Sequence, residues 1–288
     1  MLDQADVIIA IGFSAVEYDS GIWNKQPGKR KIIHIDCTAA DLHTTYNPVV
    51  ELIGDIAKSV ELLKRKLNTH KKLKSNFSIP PYRAELEKVI GSKALINQMP
   101  MHPLRFIHDV RTLLDDDAIV ICDIGSVYMW MSRYFLSYSP RHYLTSNGQQ
   151  TLGIALPWAL AARLVYPKKR ILSVSGDGGF LISSQEIETA VRENLPIVHC
   201  VWVDGSFDMV KQQQLIHFKR DCMVKLGEVD LVKYAESFGA VGLRIEQADD
   251  LIPKLKQAFA SNRPCIVEIA MDYSENRALF ESLKTELG

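Results

Sequence analysis

Residues 171–180 read Ile171-Leu172-Ser173-Val174-Ser175-Gly176-Asp177-Gly178-Gly179-Phe180, and this stretch decides the fold. Its apolar first half is typical of a strand that is buried on both faces of a parallel sheet. The glycines that follow allow a bulky anion to approach the backbone closely. We predict a helix from about Ser184 to Glu193, whose free N-terminal amides favour phosphate. The segment therefore predicts a strand, a glycine-rich loop and a helix, with a ligand at the carboxyl end of the strand.

The same alternation of strand and helix continues along most of the chain. A helix is predicted across His102 to Leu114, before an apolar run from Ala118 to Cys122. Further buried strands are predicted at Ile197–Val203 and Cys265–Ala270. Alternation of this kind predicts an α/β fold in which a parallel sheet is flanked by helices.

The N-terminal part has a related but incomplete pattern. Strands are predicted at Val7–Gly12, which we expect to be buried on both faces, at Lys31–Asp36 and at Val50–Asp55, before a helix that runs to about Leu67. Three strands and two helices leave much apolar surface open. We therefore expect that the natural chain extends further at its N-terminus or that this face packs on another chain.

The segment from Asn68 to Tyr82 is rich in lysine, serine and asparagine and contains the pair Pro80-Pro81, which is typical of a linker. We expect part of a central α/β domain at 1–67, a linker at 68–98 and a C-terminal domain at 99–288.

Composition excludes several classes of function. Lysine plus arginine equals aspartate plus glutamate at 34 each, so no basic surface for nucleic acid is expected. The five cysteines form no CxxC pair, and Cys122, Cys200 and Cys265 lie in or beside apolar runs, which favours reduced, buried thiols. The eight histidines have no zinc-ligand spacing. No signal peptide and no membrane-spanning run is seen, so we expect a cytoplasmic protein.

A second acidic motif strengthens the prediction of a binding site. Asp204-Gly205-Ser206 follows the strand Ile197–Val203, 27 residues after Asp177. That separation fits one strand-helix-strand crossover, which brings both aspartates to the same edge of the sheet. A carboxylate beside a phosphate requires a cation, and Mg²⁺ prefers oxygen ligands and phosphate partners. Gly-Asp-Gly alone is common in turns, but the pair predicts two carboxylates and a carbonyl that hold one magnesium ion against a diphosphate.

This paired spacing resembles the metal-diphosphate motif of thiamine-diphosphate enzymes. Three further segments look like acetolactate synthase, namely Ser146–Gly153, Glu186–Arg192 and Tyr234–Ala240. Val16-Glu17-Tyr18 with Trp23-Asn24 is similar to the middle domain of the catabolic, flavin-independent branch. Many relatives have asparagine where this chain has Asp204, but aspartate matches the catabolic branch.

The resemblance implies a role for each matching residue. Asp177, Asp204 and the backbone carbonyl of Ser206 would bind Mg²⁺. The residues implied to hold the rest of the cofactor are Gly125, Ser126, Gln150, Thr151, Leu152, Gly176, Gly178, Gly179, Gly205 and Phe207. Leu152 would lie under the thiazolium ring, although without the resemblance a plain core leucine would be the favoured interpretation. Met209, Val210 and Gln213 would lie near the reacting carbons, although a helical glutamine is more often only solvated.

The resemblance also implies an activity. Enzymes of this type condense two pyruvates to 2-acetolactate with release of CO₂, using thiamine diphosphate and Mg²⁺, and the catabolic branch uses no FAD. The active site is shared within a homodimer or homotetramer, in which a pyrimidine-binding domain supplies a glutamate. No glutamate of this chain matches that motif, so activity of this chain alone is not expected.

Three alternatives stay open. The chain could be a cofactor-binding or assembly module without turnover, or one half of a split enzyme. It could also belong to another member of the scaffold, such as pyruvate oxidase, glyoxylate carboligase or a flavin-containing acetohydroxyacid synthase.

Overall fold

The computed structural model describes residues 2, 5–15, 19–68, 80–146 and 149–286. The chain forms two units, one of Met1–Ser78 with Ala278–Gly288 and one of Ile79–Arg277. Parts of the segments discussed above, namely 16–18, 69–79 and 147–148, lie outside the described residues.

The first unit contains a three-stranded parallel sheet in the order β1-β2-β3. Its elements are β1 (Val7–Ile11), α1 (Ser20–Trp23), β2 (Lys31–Asp36), β3 (Val50–Ile53) and α2 (Ile56–Leu67). Asp55 caps α2, since its carboxylate accepts a hydrogen bond from the backbone N–H of Lys58 at 2.8 Å. The predicted strands and helix are all present.

The expectation that β1 is buried on both faces is wrong for the described structure. Val7, Ile9 and Ile11 are 47%, 46% and 50% exposed, whereas Ala10 is buried. These three residues alternate along an edge strand and therefore share one face of the sheet. An apolar run indicates a strand, but it does not show whether both faces are covered.

The second unit contains a six-stranded sheet in the order β5-β4-β6-β7-β9-β8, and all of its neighbouring strands are parallel. Its strands are β4 (Ile119–Cys122), β5 (Tyr143–Thr145), β6 (Ile171–Gly176), β7 (Val198–Val203), β8 (Val241–Ile245) and β9 (Cys265–Ala270). Its helices are α3 (Pro80–Gly91), α4 (Pro103–Leu113), α5 (Ser126–Tyr134), α6 (Ala155–Val165), α7 (Asp177–Ser183), α8 (Glu186–Arg192), α9 (Asp208–Phe218), α10 (Leu231–Ser237), α11 (Leu251–Ala260) and the start of α12 (Asn276–Glu286), whose residues from Ala278 onward belong to the first unit. The predicted α/β fold with a parallel sheet flanked by helices is confirmed.

The four central strands form the core of this unit. Every residue of β4 is buried, as are the first five residues of β6 and of β7. The largest buried side chain is that of Trp202, whose ring meets the ring of Phe106 edge to face at 5.0 Å between centroids. The apolar runs of the sequence thus correspond to strands that are buried on both faces, as is usual in parallel sheets.

The boundary between strand and helix after β6 differs from the prediction. The helix α7 begins at Asp177 itself, so Gly178 and Gly179 lie in its first turn and no loop separates strand from helix. The predicted helix from about Ser184 to Glu193 is present as α8, which runs from Glu186 to Arg192. The prediction missed α7, which takes the place of the predicted glycine-rich loop.

Part of the predicted linker is helical. The helix α3 begins with Pro80 and Pro81, which fits the tolerance of proline in a first helical turn. Within the described part of the chain, no helix combines the length and the apolar composition that crossing a bilayer requires.

His199, in the middle of β7, is a buried polar residue that the sequence analysis did not single out. Its Nδ1 and Nε2 atoms lie 2.7 Å and 2.9 Å from the hydroxyl oxygens of Ser173 and Ser175 on β6. Its ring stacks on Phe180 at 5.5 Å between centroids. Burial lowers the pKa of His199 to about 3, so the ring is neutral in the folded protein.

This histidine predicts a pH dependence of stability. The pKa of His199 in the folded protein lies below its unfolded value of about 6.5. The stabilisation of the folded protein by the neutral ring is therefore complete above that pH and is lost as the pH falls. We expect His199 to cost the protein about 2 kcal/mol of unfolding free energy between about pH 8 and about pH 5. Urea denaturation across this range should show a shallower pH dependence for His199→Asn, which cannot titrate. Parallel curves for the two proteins would contradict the prediction.

Candidate cofactor site

The candidate site lies at the carboxyl ends of four neighbouring strands of the second unit. These strands are β4, β6, β7 and β9, which are adjacent in the sheet. The segments that follow them line one cavity of about 230 Å³. This is the edge at which open α/β sheets bind ligands, as predicted.

Asp177 and Asp204 meet at this edge. The Asp177 carboxylate accepts hydrogen bonds from the backbone N–H groups of Asp204 at 3.2 Å and of Gly205 at 2.7 Å. Its other oxygen accepts one from the N–H of Gly178 at 2.8 Å. Asp204 in turn accepts a hydrogen bond from the hydroxyl of Ser206. The strands β6 and β7 are parallel neighbours, so the crossover argument placed both acids correctly.

The electrostatics of the cavity favour a cation. Burial raises the pKa of Asp177. Burial also raises the pKa of Asp204 to about 7, and the nearby charges of Asp177 and Asp208 raise it further, against a lowering by the Ser206 hydroxyl. No lysine, arginine or histidine is among the described residues that line the cavity. A divalent cation would compensate this negative charge with oxygen ligands.

The donor set is compatible with magnesium but does not by itself establish it. Among the described residues, no group of three or more histidine, cysteine, aspartate or glutamate side chains is placed to hold a metal. The predicted magnesium ligands are two carboxylates and the backbone carbonyl of Ser206, so they include only two side chains and do not form a group of three. Mg²⁺ often keeps several waters and completes its shell with substrate phosphates, so a two-carboxylate set fits it.

Helix N-termini beside the cavity supply groups that favour an anion. The helices α5 and α9 both begin beside the cavity, and neither has a side-chain cap at its N-terminus. Their first backbone amides therefore have no intrahelical acceptor. The N-cap of α5, Gly125, has a φ of 124°, which side-chain-bearing residues rarely adopt. Uncapped amides and the positive ends of the helix dipoles together favour phosphate oxygens.

Gly178 is required for space rather than for an unusual backbone angle. A Cβ atom at this position would lie 2.5 Å and 2.6 Å from ring carbons of Phe207. At Gly179, a Cβ atom would lie 3.2 Å from a carboxylate oxygen of Asp123 and 3.3 Å from Leu152. The glycines thus let α7, the Leu152 segment and Phe207 approach one another.

Most of the residues predicted for cofactor, metal or catalysis line the cavity. Those that do are Gly125, Ser126, Gln150, Leu152, Gly176, Asp177, Gly178, Gly179, Asp204, Ser206, Phe207, Met209 and Val210. Three do not line it, namely Thr151, Gly205 and Gln213. Gly205 still contributes its N–H to Asp177, whereas Gln213 is exposed on α9.

The sequence analysis missed Asp123, which is only 1% exposed. Its Oδ1 atom accepts hydrogen bonds from the N–H groups of Ile124 at 2.8 Å and Gly153 at 2.9 Å, and its Oδ2 accepts one from Ala155 at 3.3 Å. The carboxylate therefore ties the end of β4 to the backbone that follows Leu152. Burial raises its pKa, against a lowering by these hydrogen bonds. Its position directly after an apolar strand, like that of Asp204, was the available signal.

Asp208 and Tyr273 also line the cavity and were not predicted. The Asp208 carboxylate accepts hydrogen bonds from the hydroxyl of Ser126 at 2.7 Å and from the side-chain amide of Asn276 at 2.5 Å. Trp130 donates to the amide oxygen of Asn276 at 2.6 Å. Burial, with the charges of nearby aspartates, holds the pKa of Tyr273 well above its ordinary value. This network fixes the starts of α5 and α9 relative to each other.

Comparison with known protein families agrees with this geometry. Residues 123–269, just over half of the chain, match the model "Thiamine pyrophosphate enzyme, C-terminal TPP binding domain". The chain belongs to the thiamine pyrophosphate enzymes. Residues 1–63 match the model of the central domain of the same enzymes. The predicted family is thereby confirmed.

Individual relatives of this thiamine pyrophosphate enzyme include several acetolactate synthases. The acetolactate synthase of Bacillus subtilis is 45% identical over 285 residues, which cover 96% of this chain and 48% of the relative. The catabolic acetolactate synthase of Raoultella terrigena is 40% identical over 98% of this chain and 51% of the relative. A probable acetolactate synthase large subunit of Methanocaldococcus jannaschii is 33% identical over 94% and 47%. The chain spans about half the length of these relatives.

Proposed function

We propose that this chain is the diphosphate- and magnesium-binding part of an acetolactate synthase, which condenses two molecules of pyruvate to 2-acetolactate and releases CO₂. The observation that carries the proposal is the identity of 45% and 40% to two acetolactate synthases, one of them catabolic, along nearly all of this chain. The cavity at the ends of β4, β6 and β7 supports it, because its acids and open amides suit a metal diphosphate.

Each side of the cavity has its own proposed role. Asp177, Asp204 and the carbonyl of Ser206 bind Mg²⁺. The amides at the starts of α5 and α9 donate hydrogen bonds to the diphosphate, and Gly178 and Gly179 line the cavity wall beside it. The Asp177 carboxylate also accepts hydrogen bonds from the backbone N–H groups of Asp204 and Gly205. It therefore holds in place the segment that carries the second metal ligand.

The protein's own contribution to turnover is orientation and exclusion of water. Bound thiamine diphosphate supplies the carbon nucleophile and the electron sink for decarboxylation. Leu152 supports the thiazolium ring, and its apolar side chain keeps that side of the cavity dry. Met209, Val210 and Gln213 lie near the reacting carbons. Met209 and Val210 line the cavity, whereas Gln213 is exposed on α9 and does not.

Three further properties belong to the proposal. The pyrimidine-binding domain of a partner subunit completes the site in a homodimer or homotetramer. A cavity of about 230 Å³ supports this, because small-molecule pockets usually span about 300–1,000 Å³. The enzyme uses no FAD. It works in the cytoplasm, which its five free cysteines support.

The test is an assay of the purified protein at its full natural length. With pyruvate, thiamine diphosphate and Mg²⁺ we expect acetolactate and CO₂ in a ratio of one to one, loss of activity in EDTA, and no flavin absorbance. Oxygen consumption with acetyl phosphate formation would point to pyruvate oxidase instead. Binding of the cofactor without turnover would point to a non-catalytic module.

Leu152→Ala tests the role of that residue. We expect kcat to fall about tenfold or more while the affinity for thiamine diphosphate changes less, because the ring loses its support but the diphosphate contacts remain. Calorimetry of cofactor binding and steady-state kinetics measure the two effects. Leu95→Ala, at a leucine that is 95% exposed, is the matched control and should leave both unchanged. An equal fall in affinity and kcat would assign Leu152 to the core.

A further inference from the structure

A second cavity lies at the amino ends of the strands of the six-stranded sheet, whereas the candidate cofactor site lies at their carboxyl ends. It has a volume of about 780 Å³ and is lined by residues at or before the amino ends of β6, β7 and β9. The connection from α6 to β6 and the helix α11 form its other walls. None of its lining residues lines the cofactor cavity. Its volume lies within the usual range of small-molecule sites, about 300–1,000 Å³.

The lining of this cavity is strongly cationic. It contains six basic residues, namely Arg163, Lys168, Lys169, Arg170, Lys256 and Arg263, and no acidic residue is among the described residues that line it. The chain as a whole has equal numbers of basic and acidic residues. Six positive charges around one concave surface therefore give this cavity a positive potential, although the whole chain is formally neutral.

Carboxylates compensate only two of these charges. Lys169 lies 3.8 Å from Asp117 and Arg170 lies 3.4 Å from Asp115, and both acids are exposed. Lys168 and Lys256 have no ion pair within the part of the chain that the structure describes. The remaining two cations, Arg163 and Arg263, donate to backbone oxygens.

The two arginines Arg163 and Arg263 are held in place but keep their charge available. Arg163 donates to the carbonyl of Pro167 at 2.8 Å, and Arg263 donates to the carbonyl of Gly239 at 2.5 Å. The Nε atom of Arg163 is buried and has no hydrogen-bond partner among the described residues. A buried donor without an acceptor is costly, and a ligand oxygen would satisfy it. Burial without a carboxylate partner also lowers the pKa of Arg163.

One wall of the cavity is apolar. It includes Ile252 and Phe259 of α11 and Pro196 before β7. The guanidinium of Arg170 lies over the Phe259 ring at 5.7 Å from its centroid, so the apolar wall and a cation are in direct contact. A ligand that carries both a flat apolar group and several negative charges matches this combination.

We propose that this cavity binds a nucleoside diphosphate or triphosphate, with its phosphates on Arg163, Lys168, Lys256 and Arg263 and its base against the apolar wall. The site is separate from the cofactor site and does not depend on the proposed acetolactate synthase activity.

The test is calorimetric titration of the purified protein with ADP in the presence of EDTA, which removes metal-dependent binding at the cofactor site. We expect ADP to bind, and Lys168→Ala/Lys256→Ala to weaken its affinity about tenfold. Lys58→Ala/Lys88→Ala removes two exposed positive charges elsewhere and should bind ADP as the parent does. Asp177→Ala should also bind ADP normally, because that residue belongs to the other cavity.

Titrations with adenosine and with pyrophosphate test separately how the cavity recognises the base and the phosphates. We expect adenosine to bind much more weakly than ADP, and pyrophosphate to bind more weakly than ADP but to depend on the same lysines. No binding of ADP, equal losses in the two double variants, or displacement of ADP by saturating magnesium thiamine diphosphate would overturn the proposal. Pyrophosphate that binds as tightly as ADP would overturn its nucleotide part.

Discussion

Replacing Asp177 by alanine is expected to abolish magnesium-dependent binding of thiamine diphosphate, with a loss of affinity of about 100-fold or more. The substitution removes one proposed metal ligand. It also leaves the amides of Asp204 and Gly205 without their acceptor, so the segment that carries the second ligand loses its anchor. Calorimetric titration with thiamine diphosphate in Mg²⁺ measures the loss.

Asp177→Asn separates charge from hydrogen bonding. Its amide oxygen can keep the hydrogen bonds from the N–H groups of Asp204 and Gly205, whereas its NH₂ group cannot accept the one from Gly178, and the side chain no longer carries a negative charge. If the metal is the reason for the acid, this variant should fold normally and bind the cofactor nearly as poorly as the alanine variant. Asp221→Ala, at an exposed acid after α9, should bind as the parent protein does. Unchanged affinity in Asp177→Asn would remove the metal assignment.

Asp123→Ala is expected to lower the free energy of unfolding by about 3 kcal/mol. Three backbone amides, of Ile124, Gly153 and Ala155, would lose their acceptor inside the protein. Because the raised pKa of Asp123 shows that burying its charge is itself costly, the expected loss is below the sum of three broken hydrogen bonds. Urea denaturation measures the effect.

The Asp123 prediction also has a matched control and a second readout. Asp116→Ala, at a side chain that is 77% exposed, should change the unfolding free energy by less than about 0.5 kcal/mol. Asp123→Ala should in addition weaken cofactor binding, because the backbone beside Leu152 loses its tie to β4. A loss of stability below about 1 kcal/mol would show that the three amides find other partners.

The parts of the fold that sequence could predict are those governed by local pattern and strand topology. The runs at 171–175 and 265–270 have apolar residues at both odd and even positions, which favours a strand buried on both faces, and their polar residues are Ser173, Ser175 and Glu268. The meeting of Asp177 and Asp204 followed from one rule, since a crossover of this length joins parallel neighbours. Two residues far apart in sequence were thus placed together without knowledge of the remaining strands.

The missed features depend on contacts that no local pattern reveals. His199 is neutral because it is buried, and its ring nitrogens face Ser173 and Ser175 of the neighbouring strand, which only the register shows. The helix α7 was missed because glycine disfavours helix interiors by about 1 kcal/mol relative to alanine, and two of the first three residues of α7 are Gly178 and Gly179. The exposure of Val7, Ile9 and Ile11 depends on what covers the sheet and not on the run itself.

The start of α7 at Asp177 has a consequence for the thermodynamics of ligand capture. Flexible recognition segments must give up conformational entropy when they close on a ligand, at about 1–2 kcal/mol for each residue that becomes ordered. Here the acid is the first residue of a regular helix that leaves a central strand directly, and three amides already fix its carboxylate. This wall of the site is therefore preorganised, so more of the interaction energy with a metal diphosphate is retained as affinity.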